Sequence, residues 1–207
     1  MIDLTKELPE SVNICGKDYP INTDFRVWIG FEKLFRNDNE DAETVFINAV
    51  KMCFKRDSNG ILTLPPTWQD TLKGLFDFYR AGEGMEKNED KNKDDAADEE
   101  ADEEKPRKEK RIYDWDIDGK YIFAAFKSQY NINLLTDKFH WWAFRALFDS
   151  LCKEEKICEI MSIRAMRLSD IKDKDLKKHY AKLKKIYALP DMRTEQEKEN
   201  DLGNMLW

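Results

Sequence analysis

The order of apolar and polar residues along the chain predicts a small hairpin followed by helices. Two short stretches of alternating character, residues 11–15 and 18–21, flank Gly16-Lys17, which is typical of a β-hairpin. Seven later stretches repeat apolar residues at spacings of three and four, as amphipathic helices do. These predicted helices cover residues 24–36, 42–55, 67–80, 116–130, 137–151, 155–162 and 173–188. We therefore expect a mainly α, helical bundle-like fold with a small N-terminal β-hairpin.

Residues with strong local preferences predict where several of these helices begin and end. Thr23 and Thr136 are placed to cap the first and fifth helices through their side-chain oxygens. Pro65-Pro66 precedes the third helix, and Pro190 follows the seventh, which agrees with the preference of proline for the ends of helices.

The composition of the chain changes sharply after the third predicted helix. Residues 83–110 contain no aromatic side chain, and residues 89–104 are mostly aspartate and glutamate. Such a stretch cannot bury enough apolar surface to offset the entropy lost on ordering. We therefore predict a disordered acidic linker at 83–110, although an acidic segment that shields a basic surface stays an open alternative. The predicted parts are an N-terminal hairpin with helices at 1–82, the linker, a C-terminal helical part at 111–190, and a polar tail at 191–207.

Composition and charge narrow the classes of protein that fit. The chain has 207 residues, of which 41% are apolar, and this is enough to form a packed core. Its net charge of -7 disfavours binding of nucleic acid or an anionic membrane by long-range attraction. The longest apolar run falls well short of the roughly 20 residues that span a bilayer. We expect a cytoplasmic protein.

Three groups of residues invite a chemical interpretation, and none has the full pattern. The four cysteines form no CxxC pair, and only two histidines accompany them, so we predict no metal site. Asp114, Asp116 and Asp118 resemble the start of a calcium loop, but its twelfth position is Ala125, so the acids are better explained as helix caps. His140 and Cys152 are separated by about 18 Å along one predicted helix. We therefore predict no catalytic residue, no cofactor and no enzymatic activity.

A lysine-rich stretch near the C-terminal end has two interpretations. Seven lysines lie between Lys172 and Lys185, around a stripe of leucine and tyrosine. They could form a face for nucleic acid. The pattern is also that of an ordinary solvated helix surface, which we favour.

Several motifs resemble a small phage protein family named after gene product fifteen. The most specific is HWWAFRAL at residues 140–147, followed by SIR at 162–164. Further similar stretches lie at residues 112–114, 121–126, 129–134, 160–164 and 184–189, and the N-terminal hairpin and first helix fit more loosely. The resemblance covers most of the chain apart from the acidic stretch and the tail.

The resemblance implies a function in the host cell cytoplasm during assembly of long phage tails. It implies a chaperone or adaptor that binds the tape-measure protein, tail-tube subunits or both, and it provides no catalytic residues. The alternatives are a structural tail or connector component that stays in the virion, and a nucleic-acid-binding regulator. The sequence leaves open whether the chain forms a homo-oligomer.

The expected partner-binding residues are Trp142, Arg145 and Arg164. Trp141 and Trp142 are about 100° apart on a helix, so one can face the core while the other lies near the surface. Tryptophan and arginine are favoured in interface hot spots, so we predict that the three residues lie on the surface and bind a partner. The alternative is that both tryptophans are core residues and that both arginines pair with acids of the fold.

Overall fold

A two-stranded antiparallel hairpin begins the fold. Strand β1 (Ser11–Ile14) pairs with β2 (Lys17–Pro20) in a register that places Val12 opposite Tyr19. Cys15 and Gly16 connect the strands with φ angles of 52° and 78°. Two successive positive φ angles are typical of a type I′ hairpin turn. The hairpin is confirmed, with its turn one residue earlier than predicted.

The computed structural model describes residues 2–36, 40–81 and 111–190, and within these ranges the protein is mainly α, as predicted. A short 3-10 helix, Leu168–Asp170, precedes the last α-helix. The α-helices of the described ranges are α1 (Phe25–Arg36), α2 (Ala42–Cys53), α3 (Trp68–Tyr79), α4 (Gly119–Tyr130), α5 (Trp141–Asp149), α6 (Lys156–Ala165) and α7 (Lys174–Ile186).

Helix α5 begins four residues later than the sequence predicted. His140 and not Thr136 is its N-cap, because His140 Nδ1 accepts a hydrogen bond from the backbone N–H of Trp142 at 3.1 Å. The guanidinium of Arg26 donates to the carbonyl oxygens of Leu134 and Asp137, at 2.7 and 2.8 Å. These bonds hold the segment before α5 in a turn, so a contact between distant residues prevails over the local capping preference.

The chain forms two compact units, and each is described by itself. Unit 1 takes its residues from Met1–Pro106 and Asn131–Leu151, and unit 2 from Arg107–Tyr130 and Cys152–Trp207. Residues 131–151 therefore pack with the N-terminal elements, whereas the sequence prediction grouped them with the C-terminal part. The predicted acidic linker at 83–110 and the predicted polar tail at 191–207 lie outside the described residues, so both stay predictions.

Aromatic side chains form the centre of unit 1. Phe25 of α1 stacks on Phe144 of α5 with ring centroids 4.5 Å apart. Trp28 of α1 lies 4.6 Å from the ring of Phe78 in α3. These contacts explain why α5 belongs to unit 1, since burying large aromatic rings contributes strongly to packing energy. The fully buried side chains of unit 1 include Ile21, Trp28, Phe31, Leu75, Trp141 and Phe144.

Unit 2 has a smaller, mostly aliphatic core between α4 and α6. Its buried side chains include Ile122, Ala125, Phe126, Ile157, Ile160 and Ile163. Helix α7 packs beside α6, and none of its residues is buried. Within the described ranges of both units, no helix combines the length and the apolar character that spanning a bilayer requires.

Candidate protein-binding groove

The paired tryptophans at the start of α5 bind the end of α3. Trp141 Nε1 donates to the carbonyl oxygen of Tyr79 at 2.7 Å, and Trp142 Nε1 donates to that of Phe78 at 2.8 Å. Carbonyl groups in the last turn of a helix have no partner within the helix. Trp141 is fully buried and Trp142 is half-buried. The structure therefore gives Trp142 a structural contact, while its predicted binding of a partner stays a prediction.

Arg145 lies one turn further along α5, at the edge of unit 1. Its guanidinium carbon is 5.7 Å from the ring centroid of Trp141 and 6.0 Å from that of Tyr79. Its Nη2 lies 3.9 Å from a carboxylate oxygen of Asp149. This partly exposed side chain covers aromatic surface, and its role in binding a partner is likewise still a prediction.

Arg164 lies inside unit 2, with only 6% of its surface exposed. Its guanidinium binds the carboxylate of Asp118 and the carbonyl oxygens of Ile112 and Tyr187. This placement differs from the predicted surface position and agrees with the alternative, pairing with an acid of the fold. The reason is that four donated hydrogen bonds satisfy the charge away from water.

A surface groove of about 680 Å³ lies among three helices of unit 1. Its volume falls within the range of about 300–1,000 Å³ that is usual for binding pockets. Trp68 projects at one side and is 58% exposed, which is unusual for so large an apolar side chain. The groove is lined by Leu34 and Phe35 of α1, by Glu40, by Ala42, Glu43, Val45 and Phe46 of α2, and by Trp68 and Leu72 of α3.

Local capping positions the two helix starts at this groove. Asp41 caps α2 by accepting hydrogen bonds from the Thr44 N–H at 2.9 Å and from the Thr44 hydroxyl at 2.7 Å. Thr67 caps α3 by accepting a hydrogen bond from the Asp70 N–H at 3.2 Å. Trp68 is therefore the first residue of α3, where no preceding turn of the helix covers its ring.

The mouth of the groove is acidic. Of the nine described residues that line it, Glu40 and Glu43 are acidic and none is basic. The hydrogen bonds from Thr44 lower the pKa of the neighbouring Asp41 carboxyl, which adds a negative charge beside the groove. An apolar floor with negative charge at its edge suits an apolar segment that carries positive charge beside it.

The aromatic floor of the groove is anchored in the core. The ring of Phe35 lies 4.8 Å from those of Phe31 and Phe76, so one aromatic cluster connects the groove to the buried Phe31 of α1 and the half-buried Phe76 of α3. Such support keeps the groove formed before anything binds, which lowers the entropic cost of binding.

Three of the four thiols, those of Cys15, Cys53 and Cys158, are poorly suited to nucleophilic chemistry. Burial raises the pKa of Cys53 to about 12 and also raises that of Cys158. A hydrogen bond with Asp70 raises the pKa of Cys15. Since the thiolate is the reactive form, a raised pKa lowers reactivity.

The acids that resembled a calcium loop have structural partners. Asp114 accepts hydrogen bonds from the N–H groups of Asp116 and Ile117, both at 2.9 Å, while Asp118 binds Arg164. In the part of the chain that the structure describes, no group of three or more His, Cys, Asp or Glu side chains is placed to hold a metal ion.

Sequence reasoning did not identify the groove. It placed Trp68 within the third helix without a function. The available signal was that Trp68 begins the stripe that continues through Leu72, Leu75 and Tyr79, two residues after Pro65-Pro66. A large aromatic residue at the outer end of a stripe can extend beyond the core, but only the positions of α1 and α2 show that it borders a groove.

Comparison with known proteins identifies a family. The family model described as Bacteriophage Gp15 protein matches residues 4–189. No curated protein and no solved structure matches the chain. The match spans both units, and it confirms the resemblance that the HWWAFRAL and SIR motifs indicated.

Proposed function

The chain belongs to the bacteriophage Gp15 protein family, and we propose that it is a chaperone or adaptor of phage tail assembly. The family match is the observation that carries this proposal, because it indicates a structural or assembly role in a phage. In the proposed role, the protein binds the tape-measure protein, tail-tube subunits or both in the host cytoplasm.

The groove of unit 1 supplies a surface for such binding. It combines an apolar floor with an exposed aromatic residue, Trp68, and acids at the mouth. Amphipathic helices bind grooves of this kind by inserting apolar anchors spaced three, four and seven residues apart. A long helical tape-measure protein presents such stripes before the tail tube surrounds it, and covering them would prevent aggregation.

We further propose that the protein acts by binding and has no catalytic activity. The raised pKa values of Cys15, Cys53 and Cys158 support this, since their thiols are mostly protonated at neutral pH. Asp118 and Arg164 form a buried ion pair with each other in unit 2. These residues therefore stabilise the fold.

The proposal is tested by co-expressing the full chain with the tape-measure protein of the same phage. Sedimentation of the lysate then measures how much tape-measure protein stays in solution. Pull-down with this chain as the bait measures how much tape-measure protein co-purifies. We expect both quantities to rise, and mature particles to lack the present chain. A tape-measure protein that stays insoluble and does not co-purify would overturn the proposal, and detection of the chain in mature particles would favour a virion component.

A matched pair of variants tests the groove itself. Trp68→Lys places a charge on the apolar surface, whereas Leu135→Ala changes a residue of unit 1 that is 77% exposed and does not line the groove. We expect Trp68→Lys to reduce co-purification and Leu135→Ala to leave it unchanged. Equal effects of the two substitutions would show that the groove is not the binding surface.

A further inference from the structure

Helix α7 of unit 2 has the properties of a ligand for the groove. It contains six lysines and one aspartate, and none of its residues is buried. Leu176 and Ile186 are exposed to 49% and 61%. Together with Leu183 they follow one another at spacings of seven and three residues, so the three side chains share one face of the helix.

The contacts of α7 within unit 2 leave Leu176 and Ile186 of this face accessible, while Leu183 is half-buried. Arg164 Nε donates to the Tyr187 carbonyl oxygen at 2.6 Å, and the ammonium of Lys184 binds the carbonyl oxygen of Met166. Both contacts lie at the C-terminal end of α7. The helix is thus held in place while Leu176 and Ile186 remain exposed, about 15 Å apart along its axis.

The two surfaces complement each other in charge and in polarity. The groove has an apolar floor and acids at its mouth, and α7 has an apolar face beside lysines. Lys178 and Lys182 lie in one row with Ile186, since residues four apart are neighbours on a helix. We propose that the groove of one copy of this chain binds α7 of a second copy.

The proposed contact joins two different surfaces, so it is a heterologous interface. In a pair of copies, one retains a free α7 and the other retains a free groove, so association can continue beyond two copies. Opposite charges at the edge would set the orientation of the bound helix, while the apolar side chains contribute most of the affinity.

This inference adds to the proposed function a way of regulating the same groove. A partner helix would have to displace α7 of the neighbouring copy, so free protein would be kept in an associated form. Self-association itself does not depend on the proposed partner. The two ideas have separate measurements, since one is the mass of the free protein and the other is co-purification of the tape-measure protein.

Sedimentation velocity of the full-length chain, from micromolar to millimolar concentration, tests the proposal. We expect the average mass to rise with concentration. Trp68→Lys in the groove and Leu176→Glu in α7 should each weaken association at least about tenfold, as loss of a central anchor does. Leu135→Ala is the control and should associate like the unchanged chain, and circular dichroism checks that every variant is folded.

Mixing the two variants gives the decisive result. The Trp68→Lys chain keeps an intact α7 and the Leu176→Glu chain keeps an intact groove, so an equimolar mixture should form a one-to-one complex that does not grow further. A chain that is monomeric at all concentrations would overturn the proposal. A mixture that shows no association would also overturn it. The mixture contains one intact groove and one intact α7 on different chains, so an interface between these two surfaces must form in it.

Discussion

Arg164 and Asp118 form a bidentate ion pair inside unit 2. Nη1 of Arg164 lies 2.5 Å from one carboxylate oxygen of Asp118, and Nη2 lies 3.0 Å from the other. Their side chains are 6% and 1% exposed. Because the same guanidinium also donates to Ile112 and Tyr187, one arginine of α6 connects the segment before α4 with the end of α7.

Replacing Arg164 by alanine is expected to destabilise unit 2 strongly. The carboxylate of Asp118 would stay buried without its charged partner, which typically costs about 3–5 kcal/mol in free energy of unfolding. Urea unfolding followed by circular dichroism measures this loss. Arg145→Ala is the control, since that partly exposed side chain should contribute about 1 kcal/mol or less. Similar losses of unfolding free energy in the two variants would contradict the strong stabilising role assigned to Arg164.

The two tryptophans of α5 are expected to differ in their contribution to stability. Trp142→Phe removes the hydrogen bond to Phe78 and should cost about 0.5–1.5 kcal/mol. Trp141→Phe removes the bond to Tyr79 and also leaves a cavity at a fully buried ring, so it should cost more, about 2 kcal/mol. Urea midpoints of the two variants test this order, and a reversed order would show that Trp142 is the main contact.

The stability of unit 1 is expected to fall on acidification through His140. Its Nδ1 accepts from Trp142 N–H, and its Nε2 lies 2.9 Å from the Pro9 carbonyl oxygen, so a neutral ring protonated at Nε2 satisfies both. Burial lowers the pKa of His140 below its ordinary value of 6.5. The unfolded chain therefore takes up a proton more readily than the folded chain. The stabilising contribution is complete above pH 6.5 and is lost as the pH falls towards the folded pKa.

Unfolding free energies of the chain and of His140→Asn, measured on both sides of pH 6.5, test this expectation. Asparagine keeps an oxygen that can cap α5 but does not titrate. Between neutral and mildly acidic pH, the unfolding free energy of the variant should fall less than that of the unchanged chain. An identical pH dependence in the two proteins would assign the decrease to other groups.

Two helical glycines are expected to respond oppositely to substitution by alanine. A Cβ at Gly74 in α3 would lie 2.8 Å from Ile14 Cγ1. Overpacking in Gly74→Ala should therefore lower the free energy of unfolding by about 1–3 kcal/mol. The higher helix propensity of alanine offsets about 1 kcal/mol of this loss. A Cβ at Gly119, the first residue of α4, meets nothing within 4 Å. Gly119→Ala should therefore be neutral or slightly stabilising. Melting temperatures test the pair, and a stabilised Gly74→Ala would contradict the close approach of β1 and α3.

Local sequence patterns predicted most of the secondary structure, and the start of α5 differs for a long-range reason. The hairpin, α1, α2 and α3 lie within two residues of their predicted bounds because apolar spacing, proline and capping residues act over a few positions. Helix α5 was predicted to begin at residue 137. It begins at Trp141 because Arg26, more than one hundred residues earlier, binds the turn at Leu134 and Asp137.

The candidate binding residues could be predicted only in part. Adjacent helical residues point in different directions, so the sequence allowed Trp141 and Trp142 to differ in exposure, and Trp141 is fully buried whereas Trp142 is half-buried. It could not show that Arg164 is buried, because an arginine near the end of a helix is usually exposed. Its position depends on Asp118, which is forty-six residues earlier and was interpreted only as a helix cap.

The sequence by itself determined the mainly helical class, the N-terminal hairpin and the membership of a phage family, since periodicity and short motifs are properties of neighbouring residues. Only the tertiary structure decided that α5 packs in unit 1, that Arg164 is enclosed in unit 2, and that α1, α2 and α3 leave a groove beside Trp68. Each of these depends on which helix faces meet. That choice is made by contacts between residues far apart in the chain, which local spacing does not encode.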